Sequence, residues 1–220
     1  MFEIIPGILE KEWSEIERKI ELVRTFAKTV HIDIIDGKFA LASPPASPRG
    51  EQGGPNTTFL DPLPFKEFST DLFLELHMMV ENPIQYLKPF ADAGFKRFIG
   101  HVEMMPDQIE FVAQAQLLGE VGLAIDGPTN LDVIKVPHND LGEILIMTIK
   151  AGQSGQTFNP EYLKKVEALS GLVIGVDGGI NDKTIVLAKN AGATRFVANS
   201  FIFNSQDPQK QYEMLSGILK

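Results

Sequence analysis

VHIDIID, residues 30–36, is the stretch that decides the fold. It is a short apolar, β-branched run, which favours a strand with neighbours packed on both faces. A strand has a period of two, so His31 and Asp33 share one face. Working outward, similar runs lie at 3–9 (EIIPGIL), 72–80 (LFLELHMMV), 97–103 (RFIGHVE) and 120–125 (EVGLAI). Further runs follow at 143–149 (EILIMTI), 172–178 (LVIGVDG) and 195–203 (RFVANSFIF). Between them lie amphipathic stretches at 13–25, 82–93, 107–118, 160–169, 182–191 and 208–219. Ser14 with Glu17, Asn82-Pro83, Asn159-Pro160 and Asn181-Asp182 read as helix starts, and the glycines of DAGF and NAGA as helix ends. Eight strands, each followed by a crossover, predict an α/β fold whose parallel sheet closes into a (β/α)8 TIM barrel, a single domain over residues 1–220. A doubly wound open sheet is the competing architecture, and eight repeats in a chain of 220 residues leave little room for it.

Strand starts recur about every 22–29 residues, except that the second and third are 42 apart. The surplus is the Pro/Gly/Ser-rich segment at about 40–56, ALASPPASPRGEQGGPN. A loop this long is either functional or unstructured, so it reads as a lid over the site or as a loose insertion.

Composition narrows the function. The chain is 44% hydrophobic and 22% charged, enough for one large core. It contains no apolar run long enough to span a bilayer, and the start MFEIIPGILEKEW has no cationic segment ahead of an apolar one. A cytoplasmic protein is expected, with no membrane partner. The net charge of −9 and the lack of a Lys/Arg cluster argue against nucleic acid. An acidic chain can still hold a phosphate through backbone N–H groups. With no cysteine, any metal must sit on His, Asp or Glu.

Four such residues fall at the C-terminal ends of strands: His31 and Asp33 on the second, His77 on the third, Asp177 on the seventh. A TIM barrel builds its active site from those ends. Two imidazoles and two carboxylates meeting there suit one divalent metal: zinc, ferrous iron, manganese or cobalt. A lone strand histidine is more often a satisfied core residue; the shared position gives this set its weight. Asp36 is out of phase with Asp33 and reads as a loop cap. Glu75 is in phase with His77 but deeper, and needs a partner if buried.

PGIL (6–9), HIDIIDGKF (31–39), ELHMMVENP (75–83), GHVE (100–103), MTIKAGQSGQTF (147–158), VDGGIN (176–181) and FVANSFIF (196–203) stand in this order over nearly the whole chain. In this arrangement the chain resembles the ribulose-phosphate 3-epimerase family, as a divergent member. The resemblance implies metal-dependent epimerisation at carbon 3 of a ketose phosphate, D-ribulose 5-phosphate to D-xylulose 5-phosphate in the first instance. His31, Asp33, His77 and Asp177 are the implied metal ligands, and Asp33 and Asp177 the implied acid and base. Removing a proton beside a ketone on one face and returning it on the other takes two carriers and passes through an enediolate, whose charge a Lewis acid stabilises.

The resemblance also places Met79 and Met147 at the site, where core packing is the competing reading. It assigns phosphate to the backbone around Gly155-Gln156, Gly178-Gly179 and Asn199-Ser200, and implies a homo-oligomer. His101 and Glu103 match the family's H-x-E as pocket or supporting residues. The chain departs from the pattern at Gly7 (a substrate-contacting serine in the family), Ile35 (a methionine), Lys150–Ser154 (an E-P-G-F-G-like loop) and Asn199 (a glycine). These changes surround the substrate rather than the metal. Two alternatives remain open: a sugar-phosphate-binding barrel of other specificity or without turnover, and a Schiff-base aldolase using Lys150, whose position is out of phase with Met147.

Overall fold

The computed structural model describes residues 2–38, 57–151, 156–169 and 171–220. Eight parallel strands close into a barrel in the order β1 to β8. They are β1 (Glu3–Ile8), β2 (Thr29–Ile35), β3 (Phe73–Met79), β4 (Arg97–His101), β5 (Glu120–Ile125), β6 (Glu143–Met147), β7 (Ile174–Asp177) and β8 (Arg195–Ala198). The helices in chain order are α1 (Trp13–Val23), α2 (Leu63–Glu67), α3 (Ile84–Asp92), α4 (Gln108–Gln116), α5 (Lys164–Ala168), α6 (Thr184–Ala191), α7 (Ser200–Phe203) and α8 (Pro208–Leu219). The segment at about 40–56 lies outside the described residues, as do Gly155 and Ser154. Among the described residues no helix is long and apolar enough to cross a membrane.

The strand residues alternate between two cores. Ile5, Ile35, Met79, Ile99, Ala124, Leu145, Met147 and Val197 fill the barrel interior. The intervening positions, such as Ile4, Ile32, Ile34, Leu76, Met78 and Phe196, pack outward with helix residues such as Ile16, Ile20 and Phe90. Burial on both faces is why these strands read as near-continuous apolar runs.

Local expectations were met unevenly. Asn159 caps its helical turn by accepting from the Glu161 N–H, and Gly94 and Gly192 follow α3 and α6 at φ 96° and 111°. Ser14 is no cap: the residue before α1 is Glu12, without a side-chain cap bond. The stretch 160–169 begins as a 3-10 turn (Pro160–Leu163) before α5. The 195–203 run is no single strand, since it turns at Asn199 into α7. Strand seven starts at Ile174, and Val173 is exposed. After β5 the chain makes two 3-10 turns, Leu131–Val133 and His138–Asp140, a stretch in which the sequence reading placed no helix. α2 went unread in the sequence because it is only five residues long. Tertiary contact holds it in place: Phe65 packs edge-on to Trp13, ring centroids 4.8 Å apart.

Candidate active site

Register brings the polar strand residues together. β2 and β3 pair so that His31 stands beside Glu75 and Asp33 beside His77; β6 and β7 set Met147 beside Asp177. One ligand atom from each of His31, Asp33, His77 and Asp177 can be chosen so that all lie within 4.8 Å of one another. Both histidines are fully buried and Asp33 nearly so.

Each imidazole is fixed by its neighbours. His31 Nδ1 lies 2.7 Å from Glu75 Oε1, and its Nε2 lies 3.3 Å from Asp33 Oδ1. His77 turns Nδ1 to both carboxylates, 2.7 Å from Asp33 Oδ1 and 3.9 Å from Asp177 Oδ2. His101 stacks on His77 with centroids 4.9 Å apart, and its Nδ1 is 3.0 Å from Glu103 Oε2. Neither His101 nor Glu103 lines the cavity; His101 packs on His77, and Glu103 on His101. Asp36 is a loop cap, as its phase implied: its carboxylate accepts from the Lys38 and Glu81 N–H groups, each at 2.9 Å.

Glu75 has the partners the sequence left unnamed. Beneath His31 its carboxylate meets Arg97 Nη1 at 2.8 Å and Arg195 Nη2 in a short ion pair. Glu143 completes this buried floor, with Arg195 Nε 3.0 Å from its Oε2, an ion pair without hydrogen-bond alignment.

These surroundings push the acids apart. Burial disfavours charge on Asp33, but the charges of His31 and His77 and the hydrogen bond from His77 outweigh it and hold the carboxyl below the usual range. Asp177 is pushed up to about 7 by burial and by the Asp33 charge. Burial opposes charge on His31 as well, yet Asp33 and Glu75 raise it well above an ordinary histidine. Burial lowers His77 to about 4.

The cluster opens on a cavity of about 380 Å³. Its wall includes Asp33, Ile35, Met79, Met147, Gln156, Asp177, Gly178, Gly179, Asn199 and Ser200, which places most of the sequence-predicted substrate residues together. Gly7 is not in the wall; it packs under β8, where an added Cβ would meet Val197 Cγ1 at 2.7 Å. Lys150 is also outside the wall. Gly178 and Gly179 have φ of 109° and 71°, values that glycine alone takes without strain. Thr148 pins their turn, with its N–H 2.7 Å from Asp177 O and its hydroxyl bonded to Gly178 O. Sequence reading missed Thr148, along with Glu10 and Lys19 in the cavity wall. Lys19 belongs to an amphipathic helix, where a lysine ordinarily signals the solvent face.

A closed parallel barrel with its acid and imidazole groups gathered at the strand C-termini defines a TIM-barrel enzyme. The family model described as the ribulose-phosphate 3 epimerase family matches residues 54–203. The chain is 30% identical to ribulose-phosphate 3-epimerase of Schizosaccharomyces pombe, covering 98% of this chain and 91% of the relative. It is 31% identical to the cytoplasmic isoform from Oryza sativa, covering 99% and 92%, and 30% identical to the Bacillus subtilis protein, covering 99% of both. The chain belongs to the ribulose-phosphate 3 epimerase family, and is an isomerase of the carbohydrate-epimerase class. Among solved structures, 3-hexulose-6-phosphate synthase from Salmonella typhimurium superposes with TM-score 0.69 at 10% identity, covering 99% of this chain and 98% of that one. That likeness speaks for the fold alone.

Proposed function

We propose that the protein interconverts D-ribulose 5-phosphate and D-xylulose 5-phosphate by metal-dependent epimerisation at carbon 3, with Asp33 and Asp177 as the two proton carriers. One observation carries this reading: two carboxylates and two imidazoles converge within 4.8 Å at the mouth of a barrel cavity.

The donor set fits a divalent cation. His31 Nε2 is buried without a hydrogen-bond partner while Glu75 occupies Nδ1, leaving Nε2 to ligate beside Asp33. His77 presents Nδ1 to Asp33 and Asp177. His31, Asp33, His77 and Asp177 would hold the ion. Bound there, zinc, ferrous iron, manganese or cobalt supplies Lewis-acid stabilisation of the charge that develops as the carbon-3 proton leaves.

The chain's own groups divide the proton work. Asp33 comes from β2 and Asp177 from β7, strands separated by β1 and β8, so the two carboxylates approach a bound sugar from different sides. Asp33, held ionised by its histidines, takes the proton on one face; Asp177, with its carboxyl near neutrality, returns one on the other. Met79, Met147 and Ile35 give the sugar an apolar wall that excludes water. Backbone N–H groups around Gly178, Gly179, Asn199 and Ser200 receive the phosphate. Gly178 and Gly179 support this, since both line the cavity and take the positive φ of a tight turn that glycine permits.

The test is conversion of ribulose 5-phosphate to xylulose 5-phosphate, measured metal-replete and after chelation. Turnover lost to chelator and restored by metal is the expected result; no turnover with metal occupancy verified rejects this substrate. Calorimetric binding without conversion would instead favour a non-catalytic barrel. The position of Lys150 outside the cavity wall speaks against a Schiff-base aldolase, and borohydride trapping should give no adduct. A homo-oligomer is expected from the family and is read by sedimentation.

A further inference from the structure

α1 buries a lysine. Lys19 is 8% exposed and stands on the inward face of the helix with Ile16, Ile20 and Val23. The residue lines the same cavity as Asp33 and Asp177. There it meets Glu10 Oε1 at 2.6 Å and lies 4.5 Å from the centre of the Phe203 ring, in α7, the short helix that begins at Ser200. The cation therefore sits beside the part of the wall formed by Asn199, Ser200 and Asn204.

The ion pair is lopsided. The side chain of Glu10 is 29% exposed, that of Lys19 9%. Glu10 can turn to water at small cost, whereas Lys19 has no such exit and needs an anion wherever it stays. An ammonium has three N–H donors, and the pair with Glu10 engages one of its directions. A sugar phosphate must also bring a dianion into a cavity holding two acids, in a chain of net charge −9. A buried cation beside the wall at Asn199 and Ser200 offsets that repulsion.

We propose that Lys19 is the ionic contact for the phosphoryl group of the substrate, and that Glu10 is the counter-ion exchanged for it. This rests on the sugar-phosphate reading above. It makes Lys19 and Glu10 determinants of phosphate affinity rather than of proton transfer.

Steady-state kinetics on the metal-loaded protein test it, with inorganic phosphate as a competitive inhibitor and a thermal melt for each variant. Lys19→Gln should raise KM for ribulose 5-phosphate, and weaken phosphate inhibition, by about tenfold or more, as expected for loss of one charged hydrogen bond. Its kcat should change far less, and Lys19→Arg should recover most of the loss. Glu10→Gln, which removes the competing anion, should lower both constants. A Lys19→Gln protein that melts like the wild type and keeps both constants within about twofold overturns the proposal. If Lys19→Gln does not fold, Glu10→Gln decides: a fall in both constants sustains the proposal and no change overturns it. If the wild type does not turn over ribulose 5-phosphate, the substrate reading fails by itself. Calorimetric titration with inorganic phosphate then separates the two: binding that depends on Lys19 sustains the anion contact, and equal binding by wild type and Lys19→Gln removes it.

Discussion

His31 Nδ1 lies 2.7 Å from Glu75 Oε1, both side chains fully buried and their residues side by side on β2 and β3. Glu75 in turn is anchored by Arg97 and Arg195, so the orientation of one imidazole is fixed by a charged floor extending under β4 and β8. Glu75 is held down to about 2, because the hydrogen bond from His31 and the charges of Arg195 and Arg97 outweigh burial. Glu75→Gln keeps the shape but removes the charge that orients His31. Metal affinity should fall about ten- to a hundredfold, as for other supporting groups behind metal-bound histidines. Metal titration of the purified variant measures it; unchanged affinity would show that His31 is positioned by packing alone.

The paired acids predict a specific kinetic defect. Asp33→Asn and Asp177→Asn should each lower kcat by about a thousandfold, the scale of losing a positioned acid–base group. Exchange of the carbon-3 hydrogen with deuterated solvent separates the two steps. Each variant should retain exchange with one epimer more than with the other, because one proton carrier survives on one face. Equal loss with both epimers, at normal metal content, contradicts a division of labour.

Metal binding should itself depend on pH. His31 is raised by Asp33 and Glu75 against burial, so it holds a proton that a cation must displace. Affinity should therefore rise from pH 6 to pH 8 and binding should release protons, measurable by calorimetry in buffers of different ionisation heat. Saturating metal should also raise the melting temperature, with about 3 kcal/mol of stabilisation at a hundredfold excess over Kd. A melt insensitive to metal would count against a preformed site.

The barrel floor carries its own pH signature. Burial and the neighbouring Glu75 charge push Glu143 from 4.5 up to about 7, against the opposing pull of Arg195 and Arg97. A carboxyl raised on folding favours the protonated folded form. Its contribution is thus complete below the unfolded value and is lost as pH rises through about 7. Between pH 5 and pH 8 the wild type should lose about 2–3 kcal/mol that Glu143→Gln does not. Urea unfolding at the two values tests the difference, and parallel curves would place the proton elsewhere.

Much of the site was legible before any coordinates. HIDIIDGKF, ELHMMVENP and VDGGIN carried the four-residue cluster because period-two alternation and strand-end position are local properties of the chain. Met79, Met147, Gly178, Gly179, Asn199 and Ser200, which the family resemblance placed at the site, line the cavity. Gly7, placed there by the same resemblance, does not: the glycine at the end of β1 is tucked beneath Val197, a contact set by the neighbouring strand. The run 195–203 was misread because the apolar residues of a four-residue helix look like the continuation of a strand.

By itself, then, the sequence determined that eight strands would alternate with crossovers and that four potential ligands would stand at strand ends, since hydrophobic period and turn chemistry act over a few residues. The tertiary structure alone decided that Glu75 would hold His31 and rest on Arg97 and Arg195, and that Lys19 would meet Glu10 inside the cavity wall. Such pairings depend on the register and closure of the barrel, which join residues far apart in the chain and leave no local pattern to read.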